Sequence, residues 1–383
     1  MNFEPATLSD KEDALRGEVR SFLDENRHLL NTSTAINSWS VSDPEFSRLL
    51  GKRGWIGMTW PKRYGGGERS YLERYVVTEE LLAAGAPVGA HWFADRQTGP
   101  LLLRFGTEEQ KSFFLPRMVR GDCFFAIGMS EPNSGSDLAS IQTKAKRVDG
   151  GWEISGQKIW TSIALSAHYM VLLCRTAPPS EDRRKRHEGM SQFVVDLGSE
   201  GITRRPIRNL SGEEHFCEVF FDNVFVPDER LLGKENDGWN QVMAELAFER
   251  SGPERFLTNH QLMVEALEVL REAGSRESSK LLIGQLTARL MVLRQMSLSV
   301  ASQLQTGALP VTEASIVKDL GTSFEQELAE SLRTVLAVEP GYDADERIGQ
   351  LLGSSILQSP SFSLRGGTRE ILRGILAKGL GLR

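Results

Sequence analysis

Along the first part of the chain, apolar residues recur at three- and four-residue spacing. Leu15, Val19, Phe22 and Leu23 share one face of a stretch predicted to be helical over Lys11–His28, and Val76, Val77, Leu81 and Leu82 do the same within Tyr71–Ala84. A shorter helix is predicted over Glu108–Met118. From about residue 122 the period changes. Cys123–Ile127 is a continuous apolar run, Val148-Asp149-Gly150 leading into Gly151–Ile154 has the form of a hairpin, and Tyr169–Cys174, Gln192–Leu197 and Glu218–Val226 are β-branched and aromatic runs between turn residues. Helical spacing returns after Gly238, over Trp239–Arg250, Leu262–Ala273, Lys280–Leu304, Glu313–Leu336 and Thr368–Lys378.

The turn after the first apolar strand carries the most chemistry. Seven of the ten residues in Gly128–Asp137 are Gly, Ser, Asn or Pro, types that shape turns and expose amides. A strand ending in such a turn presents amides and hydroxyls outward, which suits an anion. A second strand end, Gly156–Ser162, sets Trp160 beside Thr161 and Ser162. Backbone donors, hydroxyls and a flat ring suit a flavin dinucleotide; two ordinary β-turns are the alternative. No G-x-G-x-x-G follows a strand, which argues against a Rossmann-type dinucleotide site.

At 383 residues the chain exceeds one hydrophobic core. Charged residues make up 25% and the net charge is −6, which leaves no nucleic-acid footprint. Cys123, Cys174 and Cys217 sit far apart in apolar runs, so buried free thiols in a reducing compartment are expected. Met1–Arg16 is polar and acidic, unlike a signal peptide, and no apolar stretch approaches the ~18 residues of a membrane span. A cytoplasmic protein is the expectation.

GMSEPNSGSD (128–137) and GQKIWTS (156–162) resemble the two flavin-contacting signatures of the acyl-CoA dehydrogenase family, in the same order and at the same separation. Gly54-Trp55-Ile56-Gly57 running into Trp60-Pro61 and Tyr64–Gly67, Gly106–Lys111 with Leu115-Pro116 and Gly121, and Gly367-Thr368 followed by Ile371-Leu372 resemble other parts of that family. The resemblance covers nearly the whole chain. It implies an α+β multidomain fold: an N-terminal α-helical domain (1–121), a central β-barrel domain (122–232) and a C-terminal α-helical bundle (233–383).

It also implies FAD as cofactor, with Ile127, Met129, Ser130, Ser136, Trp160, Thr161, Ser162 and Thr368 as the binding residues. The backbone of Met129 and Ser130 is expected at the pyrimidine edge of the ring, Ser136 at the pyrophosphate, and Ser162 at the N5 edge. Ser136, Arg250 and Gly367 are the expected substrate contacts. The implied reaction is α,β-dehydrogenation of an acyl-CoA thioester, with electrons passing to an electron-transfer flavoprotein. An acyl-CoA oxidase and a catalytically silent subunit of a heteromer are the alternatives.

Two departures from the family pattern stand out. Many members place a catalytic Glu directly before the closing Gly-Thr, where this chain has Gly366. A minority, including isovaleryl- and long-chain-type enzymes, place it before an Arg on the first C-terminal helix, and Ala247-Phe248-Glu249-Arg250 matches that form. Glu249 is therefore the expected base, a solvated helix-face Glu being the alternative. The elements that grip the adenine end of a neighbouring subunit's FAD are degraded at Arg276–Lys280 and Gln350–Ile356, and the loop expected over Gln358–Ser363 differs as well. A related but different subunit would then complete the site in an α2β2 assembly, as in bacterial relatives acting on steroid-derived acyl-CoAs; an altered homo-oligomer is the alternative. The basic run Arg183–His187 reads as a solvated loop or, by resemblance, as a contact for the CoA 3′-phosphate.

Overall fold

The computed structural model describes residues 2–249, 252–274 and 276–382, without the side chains of residues 33, 183 and 245–249. Helices α1 (Asp10–Glu25), α2 (Thr32–Ala35), α3 (Pro44–Lys52), α4 (Tyr71–Ala83), α5 (Gly89–Phe93), α6 (Gly99–Phe105) and α7 (Glu108–Val119) come first. Strands β1 (Phe125–Gly128), β2 (Lys144–Val148), β3 (Gly151–Ser162), β4 (Tyr169–Arg175), β5 (Met190–Asp196), β6 (Ile202–Ile207), β7 (Phe216–Pro227) and β8 (Leu231–Leu232) follow. The chain closes with α8 (Gly238–Glu249), α9 (His260–Glu272), α10 (Glu277–Gln305), α11 (Val311–Arg333), α12 (Arg347–Phe362) and α13 (Arg369–Gly379). The helical, β, helical order expected from the periodicity holds.

Local chemistry explains several boundaries. Ser70 and Glu73 form a capping box at the start of α4, each side chain bonding the other's amide. Thr107 and Gln110 do the same for α7, and the Gln110 amide also donates to the carbonyls of Glu229 and Leu231, tying that helix start to β8. One expectation fails: Gln358–Ser363 is not a loop, because α12 runs to Phe362 with Pro360 inside it. Ser and Pro suggested a break, but Leu351, Leu352, Ser355, Gln358 and Phe362 bury one face at helical spacing, and Pro360 falls in the last turn.

Two compact units arise. One holds residues 1–39, 69–87 and 249–383, and is helical. The other holds residues 40–68 and 88–248 and contains the sheet, ordered β6-β7-β3-β2-β4-β5-β8 with β1 also on β4. This sheet replaces the expected closed barrel. Its end strands are β6 and β8, and a two-residue β8 is too short to zip a seam. The sheet nonetheless wraps a core of its own, to which Trp152, Ile154, Met170, Leu172, Phe193, Val219 and Val224 contribute from four strands. Val171 and Val194 on the opposite face pack with Leu101, Leu102, Phe114 and Met118 of α6 and α7. Burial on both faces explains why β4 is an unbroken apolar run. The three cysteines are buried free thiols, as expected.

Candidate functional site

Gly128 ends β1 and opens the small-residue turn. A Cβ there would lie 2.5 Å from the Met170 sulfur and 3.0 Å from Leu172 Cδ1, so glycine suits the close packing of β1 on β4. Lys158 is fully buried, and its Nζ donates to the Met129 carbonyl at 2.8 Å and to Glu131 Oε1 at 2.9 Å. Glu131 also accepts from the amides of Gln142 (2.6 Å) and Thr143 (2.9 Å). Burial pushes the Glu131 carboxyl up, but the Lys158 charge and the Thr143 and Gln142 hydrogen bonds outweigh it and hold the group below its ordinary value. Burial lowers the Lys158 ammonium, opposed by Glu131. The turn closes on itself through paired backbone bonds between Glu131 and Ser134, at 3.0 and 2.9 Å.

The second strand end is tied to the first. The Ile159 amide donates to the Ser130 carbonyl at 2.9 Å. Between Lys158 and Thr161 the pairing of β3 with β7 slips by one residue, a β-bulge. Trp160 takes φ 59° there, a left-handed conformation that a non-glycine residue holds only when its surroundings impose it. Its indole is 56% exposed and meets Phe216 edge-on at 5.8 Å. Thr161 is buried with its Oγ1 unpartnered, and the Ser130 amide and hydroxyl make no hydrogen bond among the described residues. The sheet unit thus gathers Ile127, Met129, Ser130, Ser136, Trp160, Thr161 and Ser162 on two joined strand ends, with Ser136 on the exposed part of the turn.

Gly367 and Thr368 belong to the helical unit. Gly366 (φ 67°) and Gly367 (φ 96°) are both left-handed, Thr368 caps α13, and buried Lys318 donates to the Gly367 carbonyl. Arg365 is held by Asn37 (3.1 Å), Thr258 (2.9 Å) and Glu325 (3.0 Å). Glu249 is the last residue of α8, its side chain outside the described set, and Arg250 lies outside the described residues altogether. Gln350–Ile356, the degraded adenine-grip position, lies within α12. In the basic run, Arg184 pairs with Asp182 at 3.1 Å and Arg186 reaches Ser140 and Asp137.

The sequence reading missed Glu131, Thr143, Lys158 and Arg175. Charged residues inside otherwise small or apolar strand ends were the available signal, since such residues are rarely buried without a partner. Arg175, nearly buried, donates to the carbonyls of Ala139, Ile141, Arg186 and Glu188 and so stitches the turn's far side to the basic run.

Known proteins fit this arrangement. Family models match for the acyl-CoA dehydrogenase N-terminal domain at residues 9–122, the middle domain at 126–224 and the C-terminal domain at 236–381. Acyl-CoA dehydrogenase FadE26 of Mycobacterium tuberculosis is 31% identical over 400 positions, covering 97% of this chain and 96% of that protein. FadE34 of the same organism is 34% identical over 342 residues and 88% of this chain, which spans only 46% of that longer protein. Among solved structures, the Tcur3481-Tcur3483 steroid ACAD superposes with a TM-score of 0.88 at 29% identity over the full length of both chains. The ChsE4-ChsE5 complex from M. tuberculosis superposes at 0.84 and 30%, covering 99% of this chain and 100% of that one. The chain therefore belongs to the acyl-CoA dehydrogenase family of oxidoreductases.

Proposed function

We propose that this chain is the catalytic subunit of an FAD-dependent acyl-CoA dehydrogenase that introduces an α,β double bond into a bulky acyl-CoA and passes electrons to an electron-transfer flavoprotein. The observation that carries it is the pair of joined strand ends, where a buried ion pair pins the turn while, among the described residues, the Ser130 amide and hydroxyl and Thr161 Oγ1 are left unbonded. Neutral donors beside an exposed indole fit an isoalloxazine ring. Met129, Ser130, Trp160, Thr161 and Ser162 would hold the ring and Ser136 the pyrophosphate, with Ile127 and Thr368 as further contacts. When bound, FAD supplies the ring that accepts the β-hydride. Donors fixed in advance at the ring's edge stabilise charge arriving there without reorganising.

The α-proton goes to Glu249, and Arg250 and Gly367 are the proposed substrate contacts with Ser136. Gly366 bears on the base. At φ 67° a side chain is strained, so this loop does not accept a carboxylate at the family's more frequent position without rebuilding. The same fact favours the second reading, a silent subunit.

The heteromeric neighbours support an α2β2 assembly with a related subunit that supplies the adenine grip. So do Leu281, Met291 and Val292, which leave apolar surface exposed on α10. Among the described residues no helix is long and apolar enough to cross a membrane, and a cytoplasmic location is proposed. We retain the three-domain division at 121/122 and 232/233 as part of the proposal.

Anaerobic mixing of the flavin-loaded protein with a panel of short, branched, long and steroid-derived acyl-CoAs tests the reading. Flavin bleaching that Glu249→Gln abolishes supports it. Bleaching that survives the substitution rejects Glu249, and no bleaching with any acyl-CoA favours the silent subunit. Rapid peroxide formation in air would assign an oxidase instead.

A further inference from the structure

Within the sheet unit, three glutamines near α6 and α8 keep buried amide atoms that the described residues do not satisfy. Gln97 is 8% exposed, Gln192 and Gln241 not at all. Among the described residues, Gln97 Oε1, Gln241 Oε1 and both amide atoms of Gln192 have no partner.

They lie along one seam. Between α5 and α6 the helix widens into a π-helical turn, Ala94–Thr98, a form common at functional sites. Its other side is fastened: Asp95 accepts the Gly57 amide at 2.7 Å, and Gly99 sits against the Trp60 ring with no room for a Cβ. Gln97 lines a small pocket with Leu101 and Phe105 of α6 and Ala244 of α8. Gln241, one turn before Ala244, donates to the Leu232 carbonyl at 2.7 Å. A Cβ at Gly233 would meet both Gln241 Nε2 (2.7 Å) and Phe105 Cβ (3.4 Å). Gln192 is the register partner of Leu232 on β5.

A buried polar atom left unbonded costs more than a made hydrogen bond gains, and several together would consume a large share of a domain's marginal stability. Something must satisfy these atoms. Three are acceptors and one is a donor, so the occupant must itself donate. All are neutral, so no charge is called for. Arg96 and Arg104 also line the pocket, but their guanidiniums lie over the rings of Trp92 (4.6 Å) and Phe105 (5.1 Å). We propose that this seam binds a neutral hydroxyl oxygen: water in the free chain, and the hydroxyl of an acyl group when substrate is held. The acyl source rests on the dehydrogenase reading; the water does not.

Gln192→Leu is the sharpest probe, because among the described residues Gln192 has no side-chain hydrogen bond for the substitution to remove. If the seam holds an oxygen, the full-length variant unfolds several degrees lower than the parent. A dry seam predicts a higher melting temperature, since a buried unsatisfied amide has been replaced by an apolar side chain, and that result overturns the proposal. Should misfit of the leucine itself lower the melting temperature, a high-resolution crystal structure of the parent chain decides. An ordered oxygen within about 3.2 Å of Gln192 is expected, and its absence overturns the proposal. For the acyl source, Gln97→Leu should lower the kcat/KM preference for a hydroxylated over a plain acyl-CoA of equal skeleton by tenfold or more. An unchanged ratio removes the acyl source. A parent protein that turns over no acyl-CoA would defeat the dehydrogenase reading and leave the melting and density results standing.

Discussion

Removing the Lys158 ammonium isolates the pair that pins the turn. Lys158 is fully buried and Glu131 nearly so, which sets the pair apart from exposed ion pairs worth about 0–1 kcal/mol. In Lys158→Met, Glu131 keeps the Gln142 and Thr143 amides but loses its counter-ion. Breaking a buried pair on one side costs about 3–5 kcal/mol. The two remaining amide bonds place this case at the lower end, about 3 kcal/mol. Adding Glu131→Gln removes the stranded charge and keeps an acceptor for one of the two amides, which Glu131 holds with separate oxygens, so the double variant should recover part of the loss, about 1–2 kcal/mol. Because the folded Glu131 carboxyl titrates below its unfolded value of about 4.3, its contribution is present above that pH and is lost as the pH falls through the lower folded value. Lys158→Met should therefore flatten the loss of stability as the pH falls through that range. Guanidinium chloride titration followed by tryptophan fluorescence reads the stabilities, and a constant slope m shows that the native state stays compact. The reasoning fails if Lys158→Met costs less than about 1 kcal/mol or if the two substitutions simply add. A double variant that folds yet binds FAD more weakly would separate the pull on the Met129 carbonyl from folding itself.

Two further outcomes follow from backbone strain and burial. Trp160→Gly relieves a left-handed φ and removes an exposed ring, so stability should change by no more than about 1 kcal/mol, against the 3–5 kcal/mol of a truncated core aromatic. FAD affinity, by fluorescence titration, should fall; a large stability loss with unchanged affinity would make Trp160 a structural residue. Buried His91 bonds Ser47 Oγ at 2.9 Å, and burial lowers its imidazole to about 4. Its contribution is thus full above the unfolded pKa of about 6.5 and lost as pH falls toward 4, about 3 kcal/mol over that window. His91→Gln should flatten the pH dependence of melting temperature between those values, and an undiminished slope would place the titration elsewhere.

The order of helical and β segments, the two strand-end turns and the empty position at Gly366 were set by the sequence itself. Their signals are local: hydrophobic period, turn residues and motif spacing act over a few residues. What required the tertiary structure was every feature made by residues far apart in the chain. The slip that turns Trp160 outward depends on pairing between β3 and β7. The pairing of buried Lys158 depends on a turn 27 residues away. Pro360 sits in a helix because α12 buries an apolar face, an energy of packing that outweighs a poor local propensity. The sheet's path ends at β6 and at a two-residue β8, an order that only the pairing of distant strands reveals. Local pattern set which elements form; packing, burial and the satisfaction of polar groups set how they meet.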